Sequence, residues 1–183
     1  MDSITQAALG ASIAGAVAGK TLGRSALLTG ALLGTLPDLD VVIDYGTAVA
    51  NFTQHRGFSH SLFILAPLSL LIAWGLWRWK PLISYQRWLA LVGLILLTHP
   101  LLDAFTTYGT QLFWPIGRPV AINSIFIIDP LYTLPLLAGC LAFLYRPPAS
   151  RTVAAGLLLS SLYLGWTLVA QQIITERVRP ALA

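Results

Sequence analysis

The chain has 183 residues, 56% of them hydrophobic and 10% charged, with a mean hydropathy of +0.75 and a formal net charge of +4. A charged share under half the roughly 25% of a soluble domain excludes an ordinary soluble protein, and each span takes about 20 apolar residues, so the length suits one integral membrane domain over residues 1–183, an all-α bundle of five to six helices. The eleven Lys and Arg stand singly between apolar segments and form no patch, which excludes nucleic acid as a partner and leaves the lipid bilayer.

Met1-Asp2-Ser3 puts an acid where the basic start of a cleavable signal belongs, so the first apolar stretch reads as a retained short helix over residues 4–18. Its Ala7, Ala11, Gly15 and Gly19 recur at i+4 and offer a neighbouring helix a small-residue face. Beyond the basic turn at Lys20 to Arg24, residues 25–36 make a second short helix with Gly30 and Gly34 as a GxxxG pair, stopped by Pro37. A weakly amphipathic stretch follows from Asp40 to Phe52. Residues 62–77 and 88–106 are long enough to span and form a hairpin across Arg78, Lys80 and Arg87, with Trp74, Trp77, Trp79 and Trp88 as an interfacial belt. The segment 107–129, with Trp114, Pro115 and Arg118, reads as an irregular or re-entrant loop. Asp129-Pro130 has the form of an N-cap followed by an N1 proline. It opens a C-terminal helix pair within 130–175, over residues 130–145 and 152–174. Cys140 is the only cysteine, which excludes an intrachain disulfide and a thiolate zinc site.

If every helix crosses, Lys20, Arg24, Arg78, Lys80, Arg87, Arg146 and Arg151 share one side, and Arg56, Arg118, Arg177 and Arg179 the other. The positive-inside rule then turns the second side outward, and all seven acids go with it.

That outward end carries the chemistry. All three histidines fall in short polar motifs: Pro37-Asp38-Leu39-Asp40, His55-Arg56-Gly57-Phe58-Ser59-His60-Ser61 and His99-Pro100-Leu101-Leu102-Asp103. Ionisable groups flanked by membrane-compatible sequence are costly and are functional candidates by default. His99 and Asp103, at i and i+4, lie on one helix face and reach one ion. Asp38 and Asp40 repel each other in low dielectric unless a cation compensates them. The bland alternatives are turn-forming aspartates, an interhelical His99–Asp103 hydrogen bond, Ser59 and Ser61 as helix caps, and Arg56 as a surface cation. Convergence of the three motifs favours a divalent metal. A nitrogen and oxygen donor set selects Zn, Mn or Fe, without choosing among them. The first-choice ligands are Asp40, His60, His99 and Asp103, with Asp38 and His55 completing the set, bridging a second metal or acting as general base, and Arg56 orienting an anionic group.

Leu36-Pro37-Asp38-Leu39-Asp40, the HRGFSHS string at 55–61, and His99-Pro100-Leu101-Leu102-Asp103-Ala104-Phe105-Thr106, with Tyr108-Gly109 and Phe113-Trp114-Pro115, resemble the signature of the bacterial membrane-bound, metal-dependent hydrolases, described as LexA-regulated inner-membrane hydrolases (domain of unknown function 457). The resemblance covers about residues 1–135. It implies an inner-membrane location and a hydrolase using metal-activated water on a phosphoester or lipid-linked substrate near the outer face. Two positions depart from the pattern: Gln6 and Val41 stand where relatives carry histidine. A non-catalytic metal sensor and an ion or metal transporter are the alternatives. A through-path, however, needs polar groups on both sides, and the inward end has basic turns alone.

Overall fold

Every regular element among the described residues is a helix. The computed structural model describes residues 1–178, apart from the side chains of residues 52 and 53, so Arg179 lies outside it. The α-helices are α1 (Ser3–Leu22), α2 (Arg24–Thr35), α3 (Ala48–Gln54), α4 (Leu62–Trp79), α5 (Tyr85–Ala104), α6 (Pro130–Tyr145) and α7 (Ser150–Val178), and 3-10 turns span Pro37–Val42 and Phe58–His60. α4, α5 and α7 are long and apolar enough to cross a membrane, and α6 is a shorter apolar helix.

α1 reaches 20 residues, longer than its apolar pattern suggests, because its ends are well defined. Asp2 accepts from the Ile4 and Thr5 amides at the start, and Gly23, at φ 58°, closes the far end. It is the central element, packed on α2, α5, α6 and α7. Its small residues divide their work by direction. Gly10 meets α2 so closely that a Cβ there would lie 2.2 Å from the Gly30 carbonyl oxygen, and one on Gly34 would lie 2.4 Å from that of Gln6. Gly15 instead faces Leu27 and Val153, and Gly19 faces the Phe143 ring. The crossing with α2 thus runs through Gly10, outside the i+4 series read from the sequence, while Gly30 and Gly34 act as the expected pair.

The basic turns share one end of the bundle. Arg24 Nε donates to the Leu144 carbonyl, tying the α1–α2 turn to the end of α6. α5 runs antiparallel to α4 and delivers its C-terminal end beside the N-terminal end of α1, where Gln6 meets Asp103. Trp74 and Trp79 are exposed as a belt requires, but Trp88 is 1% exposed and its indole N–H donates to the Lys80 carbonyl, so it belongs to the core.

The segment between α5 and α6 carries no helix or strand, only isolated bridges pairing Thr106 with Ile125 and Thr110 with Val120. Several of its backbone groups are paired with protein, as an irregular segment near the bilayer requires. The Leu112 carbonyl accepts from Leu62 N–H, the Gln111 amide donates to the Arg56 carbonyl, and the Ile127 carbonyl accepts from Asp2 N–H. The segment therefore closes the end of the bundle that holds the polar motifs. Asp129 caps α6 through the Leu131 and Tyr132 amides, as its sequence form predicts.

Candidate metal centre

Four side chains from separate parts of the chain meet beneath that segment: Asp38, His60, His99 and Asp103. Pro37 ends α2 and starts the 3-10 turn that carries Asp38; the Phe58–His60 turn delivers His60; and α5 supplies His99 and Asp103 one turn apart. His60, His99 and Asp103 are at most 1% exposed, while the Asp38 side chain keeps 13%.

The donor atoms approach tetrahedral spacing. His60 Nε2 and His99 Nε2 are 3.1 Å apart. Asp38 Oδ1 lies 3.4 and 3.3 Å from them, and Asp103 Oδ2 lies 3.2 and 3.7 Å away. Metal–ligand bonds of about 2.0–2.2 Å in a tetrahedron give edges of about 3.3–3.6 Å. Five of the six separations lie at 3.1–3.7 Å, near that range, and all four donors lie within 4.8 Å of one another, so a small inward shift of the side chains would close them on one ion.

Their protons point elsewhere. His99 Nδ1 lies 2.7 Å from the Gly34 carbonyl oxygen, which only accepts, so Nδ1 carries the proton and Nε2 presents a lone pair to the cluster. Gly34 is in the last turn of α2, where carbonyls lack intrahelical partners. Ser59 Oγ donates to Asp40 Oδ2 at 2.6 Å, which leaves its oxygen to accept from His60 Nδ1 at 2.8 Å. Burial would raise the Asp40 carboxyl, but hydrogen bonds from His55, Ser59 and the Arg56 backbone outweigh it and hold it below its ordinary value, so it stays an acceptor. Burial, opposed by the Asp38 carboxylate, pulls His60 down to about 4, so its ring is neutral at physiological pH. Two imidazole lone pairs thus face two carboxylates. Asp103 Oδ2 is fully buried without a hydrogen bond, and so is Gln6 Oε1, whose amide nitrogen donates to Asp103 Oδ1 and the His99 carbonyl. Converging acceptors of this kind need a cation. The Met1 amino group also contacts Asp103 Oδ1.

Among the residues singled out from sequence, Asp38 rather than Asp40 joins the cluster. Asp40, 5% exposed, forms a second constellation: its Oδ1 is 2.9 Å from His55 Nδ1, and its Oδ2 accepts from Ser59 and from the Arg56 amide. The two aspartates of one 3-10 turn therefore face different partners. His55 stays outside the four-residue cluster. Arg56 is no surface cation. It is 6% exposed, with Nε 3.5 Å from Asp103 Oδ2, Nη1 and Nη2 on the Gly109 and Met1 carbonyls, and the Tyr108 ring beneath it at 4.7 Å. Its φ of 62° is a strained setting for a side-chain-bearing residue, and it is Arg56, not Gly57, that makes the turn. Ser59 serves the histidine rather than capping α4, and Ser61 precedes α4 but donates to the Trp114 carbonyl. Of the two positions where the resemblance leads one to expect histidine, Val41 is 72% exposed, whereas Gln6 is 1% exposed against the cluster. Sequence reading missed the Gly34 carbonyl as a partner of His99, although the GxxxG pair signalled close approach there.

Comparison with known proteins gives a matching family, described as YdjM inner membrane protein, over residues 1–174. The chain is 37% identical over 112 residues to inner membrane protein YbcI of Escherichia coli (strain K12), and 29% identical over 104 residues to the uncharacterized protein YfhP of Bacillus subtilis (strain 168). These matches cover 61% and 56% of this chain, and 64% and 32% of the relatives, so the chain spans less than two thirds of either. No solved structure matches.

Proposed function

Because the chain belongs to the YdjM inner membrane protein family, we propose that this membrane protein uses Asp38, His60, His99 and Asp103 to hold a divalent transition metal, Zn, Mn or Fe, and that it is a metal-dependent hydrolase. The observation that carries the metal is the convergence of four acceptor atoms whose protons are committed outward. An ion held by these four residues would supply Lewis-acid chemistry, which lowers the pKa of water to about 7 and so provides a nucleophile without Ser or Cys. The chain's own residues supply the rest. With Nδ1–H donated to Asp40, His55 keeps Nε2 as the base that takes a proton and later returns it to a leaving group. Arg56 joins this dyad to the cluster through its contact with Asp103 and places a positive charge where an anionic group of the substrate binds. The orientation rule turns this end outward.

A second reading, a non-catalytic metal sensor or structural site, is favoured by the near-complete burial of three of the four donors, since structural sites are closed and catalytic ones keep an open position. The partly exposed Asp38 and the adjoining dyad favour catalysis.

Elemental analysis of detergent-purified protein and hydrolysis of an ester panel separate the two. Wild type is expected to hold about one metal per chain and the His60→Ala/His99→Ala variant none. His55→Gln should keep its metal and lose about 10²–10⁴-fold in hydrolysis, the usual contribution of a general base. Metal without turnover in wild type would leave the sensor reading. A wild type that takes up neither Zn, Mn nor Fe would sink both.

A further inference from the structure

Beside the cluster lies a cavity of about 250 Å³ lined by His55, Arg56, Tyr108, Gly109, Thr110 and Gln111, with Pro119 at its edge. It is smaller than the roughly 300–1,000 Å³ of sites for drug-sized ligands, so it takes a small group rather than a whole lipid. Its wall carries no carboxylate. The charge at the wall comes from Arg56, whose guanidinium has five N–H donors, two of which meet backbone carbonyls while Nε makes no hydrogen bond.

Two polar atoms on residues of this wall are buried without a hydrogen bond: Thr110 Oγ1, and Arg56 Nε, which faces only the Asp103 carboxylate at 3.5 Å. Thr110 is 2% exposed. Its backbone is occupied, the amide donating to the Val120 carbonyl and its own carbonyl accepting from Val120, which fixes the residue and leaves the hydroxyl as an orphan. A buried hydroxyl without a partner costs free energy, and in native proteins such groups commonly await a ligand, ion or water. A metal on Asp103 Oδ2 would also withdraw the charge that Arg56 Nε now faces at 3.5 Å.

We infer that this cavity is a phosphoryl-binding subsite, in which the Arg56 guanidinium and the Thr110 hydroxyl hold the tetrahedral oxyanion of a phosphate monoester beside His55. A guanidinium fork matches phosphate oxygens, and a hydroxyl donates to a third. The inference deepens the hydrolase reading by naming its substrate class and rests on it for the chemistry, but phosphate binding is measured without turnover.

The test uses the full chain in nanodiscs, zinc-loaded and chelator-stripped, with calorimetric titration of inorganic phosphate in one arm and competition by phosphatidic acid against phosphatidylcholine in the other. Wild type should bind phosphate, Thr110→Val should bind at least about tenfold more weakly with unchanged zinc content, and Thr110→Ser should bind as wild type. Competition by phosphatidic acid but not phosphatidylcholine assigns the phosphoryl group to a lipid headgroup, and phosphate binding without lipid competition assigns it to a water-soluble monoester. Equal affinity in wild type and Thr110→Val, binding that needs zinc but ignores Thr110, or no binding by wild type of either ligand would overturn the subsite. Loss of zinc binding in wild type would instead defeat the metal reading while the phosphate titration still reports on the cavity.

Discussion

At the scale of single residues, the site is decided by where protons are held. The Gly34 carbonyl and Ser59 hydroxyl each fix the Nδ1–H of one histidine, so both Nε2 atoms are turned inward toward the cluster. Burial has a second effect at His60. Its imidazole, near 6.5 when unfolded, is pulled to about 4 in the folded protein, so between these values the unfolded chain binds more protons than the folded one. Stability of the metal-free protein is therefore fully present above pH 6.5 and drains away as pH falls toward 4. Thermal unfolding of chelator-treated protein in detergent should show a midpoint that drops steadily across that window, with a shallower drop in His60→Gln. A midpoint equally steep in both proteins would mean that His60 is not the group responsible.

At the scale of elements, the cluster depends on a helix crossing made of glycine backbone. Gly10 and Gly30 touch so closely that either Cβ would strike the other's carbonyl at 2.2 Å, and this approach brings the end of α2 within reach of His99. Gly10→Ala should force α1 and α2 apart at a cost of about 1–3 kcal/mol and lower zinc affinity at least about tenfold through the displaced Gly34 carbonyl. Gly75→Ala, where a Cβ meets nothing within 4 Å, should keep zinc affinity and raise the melting temperature slightly. Zinc affinity and melting temperature measured on the two variants check this; a Gly10→Ala protein indistinguishable from wild type would remove the link between crossing and site. The helices were legible in sequence because apolar length and Gly or Pro punctuation act locally, as at Pro37 and Asp129-Pro130. Gly10 was not, because an i+4 series of small residues is satisfied by any neighbour and does not say which one. The three polar motifs marked the site, but the choice of Asp38 over Asp40 depends on the turn that aims them apart. Burial of Arg56 depends on a segment fifty residues downstream.

At the scale of the whole molecule, the bundle is polar in the electrical sense. Lys20, Arg24, Arg78, Lys80, Arg87, Arg146 and Arg151 stand in or beside the α1–α2, α4–α5 and α6–α7 turns, mostly on the flanking helix ends, while the cluster and its covering segment sit at the opposite end with Arg56, Arg118 and Arg177. Arg56 is buried on Tyr108 and Asp103 and so offers little to an anionic membrane surface, which sharpens the asymmetry beyond the sequence count. Seven basic residues gathered at these helix ends and turns dominate orientation, whereas acids contribute little, so the cluster end should face away from the cytoplasm. Single cysteines in a Cys140→Ser background report this directly. Val42, 80% exposed beside the cluster turn, should as Val42→Cys react with a membrane-impermeant maleimide in intact cells, and Leu82→Cys, from an exposed position in the α4–α5 turn, only after permeabilisation. The reverse pattern would put the cluster in the cytoplasm, where its metal and any substrate would have to come from the cytoplasmic pool, and would show that the covering segment's contacts, rather than the basic turns, govern insertion.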